Sequence, residues 1–174
     1  NLAAALAGIG KKILILDLDP QGNASTGLGI EYSERSNSIY EVLSRLIPFD
    51  DGIKKTNLEN LFIVPSNVEL SGIEPELANE NDKAFVLKSI MNDSQSINNF
   101  DYIFIDCPPA LSLLTVMAMT AANSVLVPLQ CEFFALEGLS QLIKTVDRVH
   151  KNLNPLLSID GIILTMFDKR NKLS

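Results

Sequence analysis

Five short apolar-rich stretches punctuate the chain: ILIL at 13–16, LFIV at 61–64, YIFI at 102–105, SVLVPL at 124–129 and a last run over 159–166. The first three do not alternate apolar with polar residues and so leave no solvated face, as expected of strands covered on both sides. Between them the spacing is helical. Residues 1–8 (NLAAALAG) are strong helix formers, and 38–46 places Ile39, Val42, Leu43 and Leu46 on one face behind Ser38 as a cap. Residues 83–92 and 113–122 read as two further helices. A long amphipathic helix follows over 133–152, with Leu136, Leu139, Leu142, Ile143, Val146 and Val149 in register. The stretch 50–60 reads as a turn-rich connection, and 67–82 as irregular surface helix. Strands alternating with helices predict an α/β fold: a mostly parallel sheet flanked by helices, with polar residues gathered at its carboxyl edge.

At 174 residues, 47% of them hydrophobic and with mean hydropathy +0.19, the chain can bury a substantial core and fits a single domain over 1–174. Its apolar runs stop well short of the ~18 residues a membrane span requires. No basic segment followed by an apolar signal core opens the chain, so a cytoplasmic location without membrane attachment is expected. Cys107 and Cys131 form no C-x-x-C pair, which points to reduced thiols rather than a disulfide or zinc cage. The net charge of −7 has the wrong sign for a surface that tracks nucleic acid along its whole length. Short basic clusters at Lys11-Lys12, Lys54-Lys55 and Lys169-Arg170 lack stacking aromatics and read as solvated edges. His150, the single histidine, sits late in the long helix and reads as a solvated end residue.

Chemistry concentrates at two strand ends. Asp17 and Asp19 close the first strand two residues apart, hence on the same side of the pleat, and Pro20 removes a ladder donor. The loop that follows, QGNASTG over 21–27, offers small, amide and hydroxyl side chains suited to a polar ligand. The third strand repeats the device with Asp106, then Cys107-Pro108-Pro109. Two apolar strands each ending in aspartate suit a magnesium–nucleotide site, where one carboxylate holds the metal or its water shell and another orients an attacking water. The competing reading is that Asp17 and Asp19 only cap or terminate a loop.

Three segments carry a family resemblance: GKKILILDLDPQGNASTGLG, FDYIFIDCPPALSLLTVMAMTAANSVLVPLQCEFFALEGL and ILTMFDKRNKLS. They resemble successive signatures of the ParA/Soj-type partitioning ATPases, members of the deviant Walker class of P-loop proteins. The resemblance implies that Asp19 is the switch I aspartate that helps activate the hydrolytic water. It makes Asp106 the Walker B aspartate near magnesium, and Pro108 and Pro109 part of switch II. Asp17, Pro20, Gln21, Gly22 and Asn23 then belong to the nucleotide-binding switch loop, and Thr165, Met166 and Asp168 fall where the family passes close to the nucleotide base.

The family's glycine-rich K-G-G-x-G-K-[ST] loop, whose N–H groups and lysines cradle phosphates, occurs nowhere in the 174 residues. The chain is therefore expected to begin inside a domain, as an incomplete P-loop NTPase-like sheet without the strand that family members place beside the Walker B strand. Such a gap leaves rows of unpaired backbone groups. For the intact parent the resemblance implies ATP and Mg2+ as cofactors, an ATP-dependent homodimer, a ParB-type centromere-binding partner and non-specific DNA binding through segments beyond Ser174. A MinD-like cell-division ATPase and a non-enzymatic module that keeps the fold are the alternatives.

Overall fold

The computed structural model describes residues 1–130 and 135–166. Ile13, Leu14 and Leu16 are fully buried, so both faces of the first strand, β1 (Ile13–Asp17), are covered, as its unbroken apolar run requires. Helix α1 (Leu2–Gly8) lays Ala3 and Ala7 on one of those faces, in a core cluster with Ile13, Ile15, Ile30, Leu61 and Ile63. Gly10, at φ +87°, turns the chain from α1 into the strand.

Four strands share one sheet. β2 (Lys54–Lys55) pairs antiparallel with β3 (Leu61–Val64), β3 pairs parallel with β1, and β1 pairs parallel with β4 (Tyr102–Asp106), giving the order β2-β3-β1-β4. The three parallel strands therefore end at one edge of the sheet, and the register places Asp17 beside Asp106. β4 is the terminal strand of this sheet among the described residues.

The connections are short helices. α2 (Asn23–Gly27) follows β1; α3 (Ile39–Leu43), α4 (Ile73–Glu76) and α5 (Val86–Asp93) precede β4; and α6 (Leu113–Ala121) follows it. Ser38 caps α3 as predicted: its Oγ accepts from the Tyr40 amide at 3.1 Å, and Glu41 reaches back to the Ser38 amide at 2.8 Å.

Several expectations are corrected. The loop over 21–27 is largely the helix α2, because a carboxylate outside the segment accepts one of its amides, a tertiary interaction that hydropathy spacing cannot report. The helix expected to reach residue 46 stops at Leu43; Arg45 is left-handed at φ +57° and Leu46 is exposed. The turn-rich connection contains β2, and the helix expected from residue 83 opens with a 3-10 turn over Lys83–Phe85. Lys12 is not a bare solvated lysine: its Nζ lies 5.4 and 5.3 Å from the Phe62 and Phe100 ring centroids.

The chain divides into two compact units, Asn1–Ala118 and Met119–Ser174. In the second, β5 (Ser124–Gln130) pairs parallel with β6 (Ser158–Thr165), with a bulge between Val125 and Leu126, and α7 (Ala135–Asn152) connects them. Buried Asn154 donates from Nδ2 to the Met119 and Ala122 carbonyls at 3.0 and 2.8 Å. It thereby satisfies acceptors at the end of α6 that no helical amide reaches. Cys131, residues 133–134 of the expected helix, Asp168 and the basic cluster at 169–170 lie outside the described residues. No helix among the described residues is long and apolar enough to cross a membrane.

Candidate functional site

The three carboxylates at the sheet's carboxyl edge occupy different environments. Asp17 is fully buried, and its carboxylate is saturated from within the chain. One oxygen accepts from the Ser25 amide at 2.8 Å and from the Ser25 hydroxyl at 2.7 Å, and the other accepts from the Asp19 amide at 3.2 Å. Ser25 Oγ in turn accepts from the Ser66 amide at 3.0 Å, just past the end of β3. Asp17 thus ties three segments together: the end of β1, helix α2 and the end of β3. Its burial nevertheless pushes its carboxyl above the usual carboxylate value, the Ser25 and Asp19 bonds pulling the other way and the Asp19 charge adding to the rise.

Asp19 is half-buried, and one carboxylate oxygen accepts from the Gln21 amide at 3.0 Å. The turn it opens closes with the Gly22 amide donating to the Asp19 carbonyl at 2.8 Å. Gly22 is left-handed, at φ +62°, and a Cβ there would meet Arg35 Nη1 at 2.4 Å and the Ser66 carbonyl oxygen at 3.1 Å. The motif's glycine is therefore required twice over, by conformation and by space. Gln21 and Asn23 are exposed and Pro20 is half-buried, so this short segment presents its polar side chains outward.

Asp106 ends β4 as an exposed residue, and no described donor reaches its carboxylate. Partial desolvation raises its carboxyl above the usual value, and the Asp17 and Asp19 charges raise it further. A carboxylate crowded by two others, with no protein donor, suits a cation. Among the described residues no group of three or more His, Cys, Asp or Glu side chains converges to hold a metal. A single carboxylate such as Asp106 could serve as one ligand to magnesium, which keeps waters and substrate phosphates around one or two carboxylates. Cys107 beside it is pushed up to about 12, first by burial and then by Asp106, so the thiol stays protonated. Pro108 is half-buried and Pro109 exposed.

The sequence-predicted residues separate accordingly. Asp17, Asp19, Gly22 and Asp106 gather at one sheet edge of the first unit. Thr165 ends β6 in the second unit, and Met166, exposed and left-handed at φ +54°, follows it. Sequence reading did not single out Ser25, Ser66 or Arg35. Ser66 carried the one usable signal, its place at the carboxyl end of a buried strand; Arg35 lies in a polar stretch with no periodicity.

A family model described as an AAA domain matches residues 1–159. The chain is 49% identical over 174 residues to the chromosome partitioning protein ParA of Caulobacter vibrioides, covering 100% of this chain and 65% of that protein. It is 48% identical to the sporulation initiation inhibitor protein Soj of Bacillus subtilis, covering 99% of this chain and 68% of that one. The chain belongs to the ParA/Soj family. Among solved structures, cobyrinic acid a,c-diamide synthase from Mycobacterium smegmatis, with bound ATP analog and magnesium, superposes with a TM-score of 0.91. That match is at 35% identity over 98% of this chain and 68% of the other. The ParA/Soj chain thus spans about two-thirds of the length of the proteins it matches, and it shares its α/β architecture with that synthase.

Proposed function

We propose that this chain is the switch-bearing part of an ATP-hydrolysing partitioning protein, working in chromosome or plasmid segregation. The observation that carries the reading is the placement of Asp19 and Asp106 at one sheet edge, with Asp17 holding the loop between them and the sheet. In this reading Asp106 would hold magnesium, which when bound neutralises phosphate charge. Asp19, with one oxygen anchored by the Gln21 amide, would orient the attacking water through its other oxygen. Asp17 enters as a positioning residue, since its bonds already run to Ser25 and Asp19. Pro20, Gln21, Gly22 and Asn23 form the moving segment, with Pro108 and Pro109 as its counterpart after β4.

The names of the relatives, chromosome partitioning protein and chromosome-partitioning ATPase, support this assignment. It further entails a nucleotide-dependent homodimer, a ParB-type partner and DNA as the surface on which the dimer works. The acidic balance of the chain speaks against DNA contact over its whole surface. The test is Asp19→Ala in the full-length protein. ATP binding is expected to persist within about threefold while hydrolysis falls at least about a hundredfold. Hydrolysis at the unsubstituted rate would remove Asp19 from the mechanism.

A further inference from the structure

Arg35 is 6% exposed, yet among the described residues no carboxylate lies within ion-pair distance of it. Buried arginines ordinarily face an acid, because an unmatched cation is costly to desolvate. This one is solvated by neutral oxygens alone. Nε and Nη2 both donate to the Ile30 carbonyl, at 3.2 and 3.0 Å; Nη2 donates to Thr26 Oγ1 at 2.7 Å, and Nη1 to the Ser66 carbonyl at 3.4 Å. Its guanidinium lies 5.9 Å from the Tyr32 ring centroid.

Those acceptors have a common feature. Thr26 belongs to α2 and donates its own hydroxyl back to the Gly22 carbonyl at 3.0 Å; Ile30 ends the segment that follows α2; Ser66 lies beyond β3. Ser66 is gripped on both sides, its amide by Ser25 in the Asp17 network and its carbonyl by Arg35. Nη1 also fills the space a Cβ on Gly22 would need. The turn carrying Asp19 is therefore pinned at its start by Asp17 and at its end by Arg35. The fork geometry of a guanidinium serves here because one planar group must reach three segments at once.

We propose that Arg35 is a positioning residue for Asp19: by bracing Thr26 and Ser66 and packing against Gly22 it fixes the far end of the turn that carries Asp19. The proposal rests on the functional reading above, and it acts on the same site through the far end of the turn. Arg35 touches none of the reacting groups and is not catalytic.

The experiment compares Arg35→Met with the unsubstituted full-length protein by amide hydrogen exchange and by steady-state ATP hydrolysis. Exchange at Gly22, Ser25 and Thr26 is expected to speed up by about tenfold relative to Ile15 and Leu16 in β1, with kcat falling about fivefold and KM for ATP unchanged within about twofold. A uniform rise across β1 and α2 would reduce Arg35 to general stability and overturn the proposal. So would unchanged exchange over 22–26, or a change in KM with kcat intact. Should Arg35→Met fail to fold, Thr26→Val removes the acceptor of the shortest bond while keeping its shape, and must produce a smaller shift of the same sign. If the unsubstituted protein hydrolyses no ATP, the functional reading falls while the exchange arm still decides the role of Arg35.

Discussion

Asp17 and Asp106 are register partners on adjacent parallel strands, and both carboxyls are held above the ordinary 3.8. The sign of the consequence follows from linkage. Between 3.8 and the raised value the folded chain keeps a proton that the unfolded chain has released, so stability declines as pH rises through that window. Ionising these groups near neutral pH works against folding, the reverse of a salt-bridged aspartate. Asp106→Asn, which removes a charge that no described donor compensates, is therefore expected to raise the melting temperature near neutral pH. The gain should disappear below pH 3.8, where both forms are uncharged. Thermal melts across that range check it, and a lower melting temperature for the variant at neutral pH would mean that a protein donor holds the carboxylate after all. For magnesium the same crowding is an advantage, because the cation relieves it.

At the scale of elements, α2 shows what hydropathy could not deliver. The strands β1, β3 and β4 were legible because an apolar run without alternation has few interpretations, and Ser38 announced the start of α3. The residues of α2, Asn-Ala-Ser-Thr-Gly, contain no helical periodicity; the helix exists because Asp17 accepts the Ser25 amide and hydroxyl from eight residues away. The carboxylates of the site were equally legible as strand-end residues, whereas Arg35 was not, since its role depends on a fold that brings Ser66 to it. Gly22 ties the two together. Gly22→Ala is expected to cost about 1–2 kcal/mol from the left-handed backbone alone, plus a steric penalty against Arg35 Nη1. Denaturant midpoints of Gly22→Ala, Arg35→Ala and the double variant form a cycle in which the steric share is lost when Arg35 is truncated. Additive midpoints would show that the two residues do not press on each other.

Across the whole molecule the decisive fact is the absence of a glycine-rich, lysine-bearing loop from all 174 residues. On the proposed reading the carboxylates that would hold a cation and orient water are present, while the motif whose backbone amides would cradle phosphates does not occur in this sequence. The 174-residue polypeptide by itself is thus expected to bind ATP more weakly than about micromolar, which corresponds to ~8 kcal/mol. A longer form carrying such a loop should bind tightly. Isothermal titration of the two side by side decides the matter, and submicromolar affinity in the shorter one would show that the strand-end carboxylates are a sufficient site. The division of labour also has a geometric side, visible in the two borders of the four-stranded sheet. On one border Lys54 and Lys55 of β2 guard a two-residue antiparallel strand that offers little backbone to an incoming chain. The opposite border is β4, apolar, five residues long and parallel to its neighbour. Of the two borders β4 offers the longer run of backbone, and a segment that paired with it in parallel would emerge beside Asp106, delivered to the carboxylates by the act of pairing.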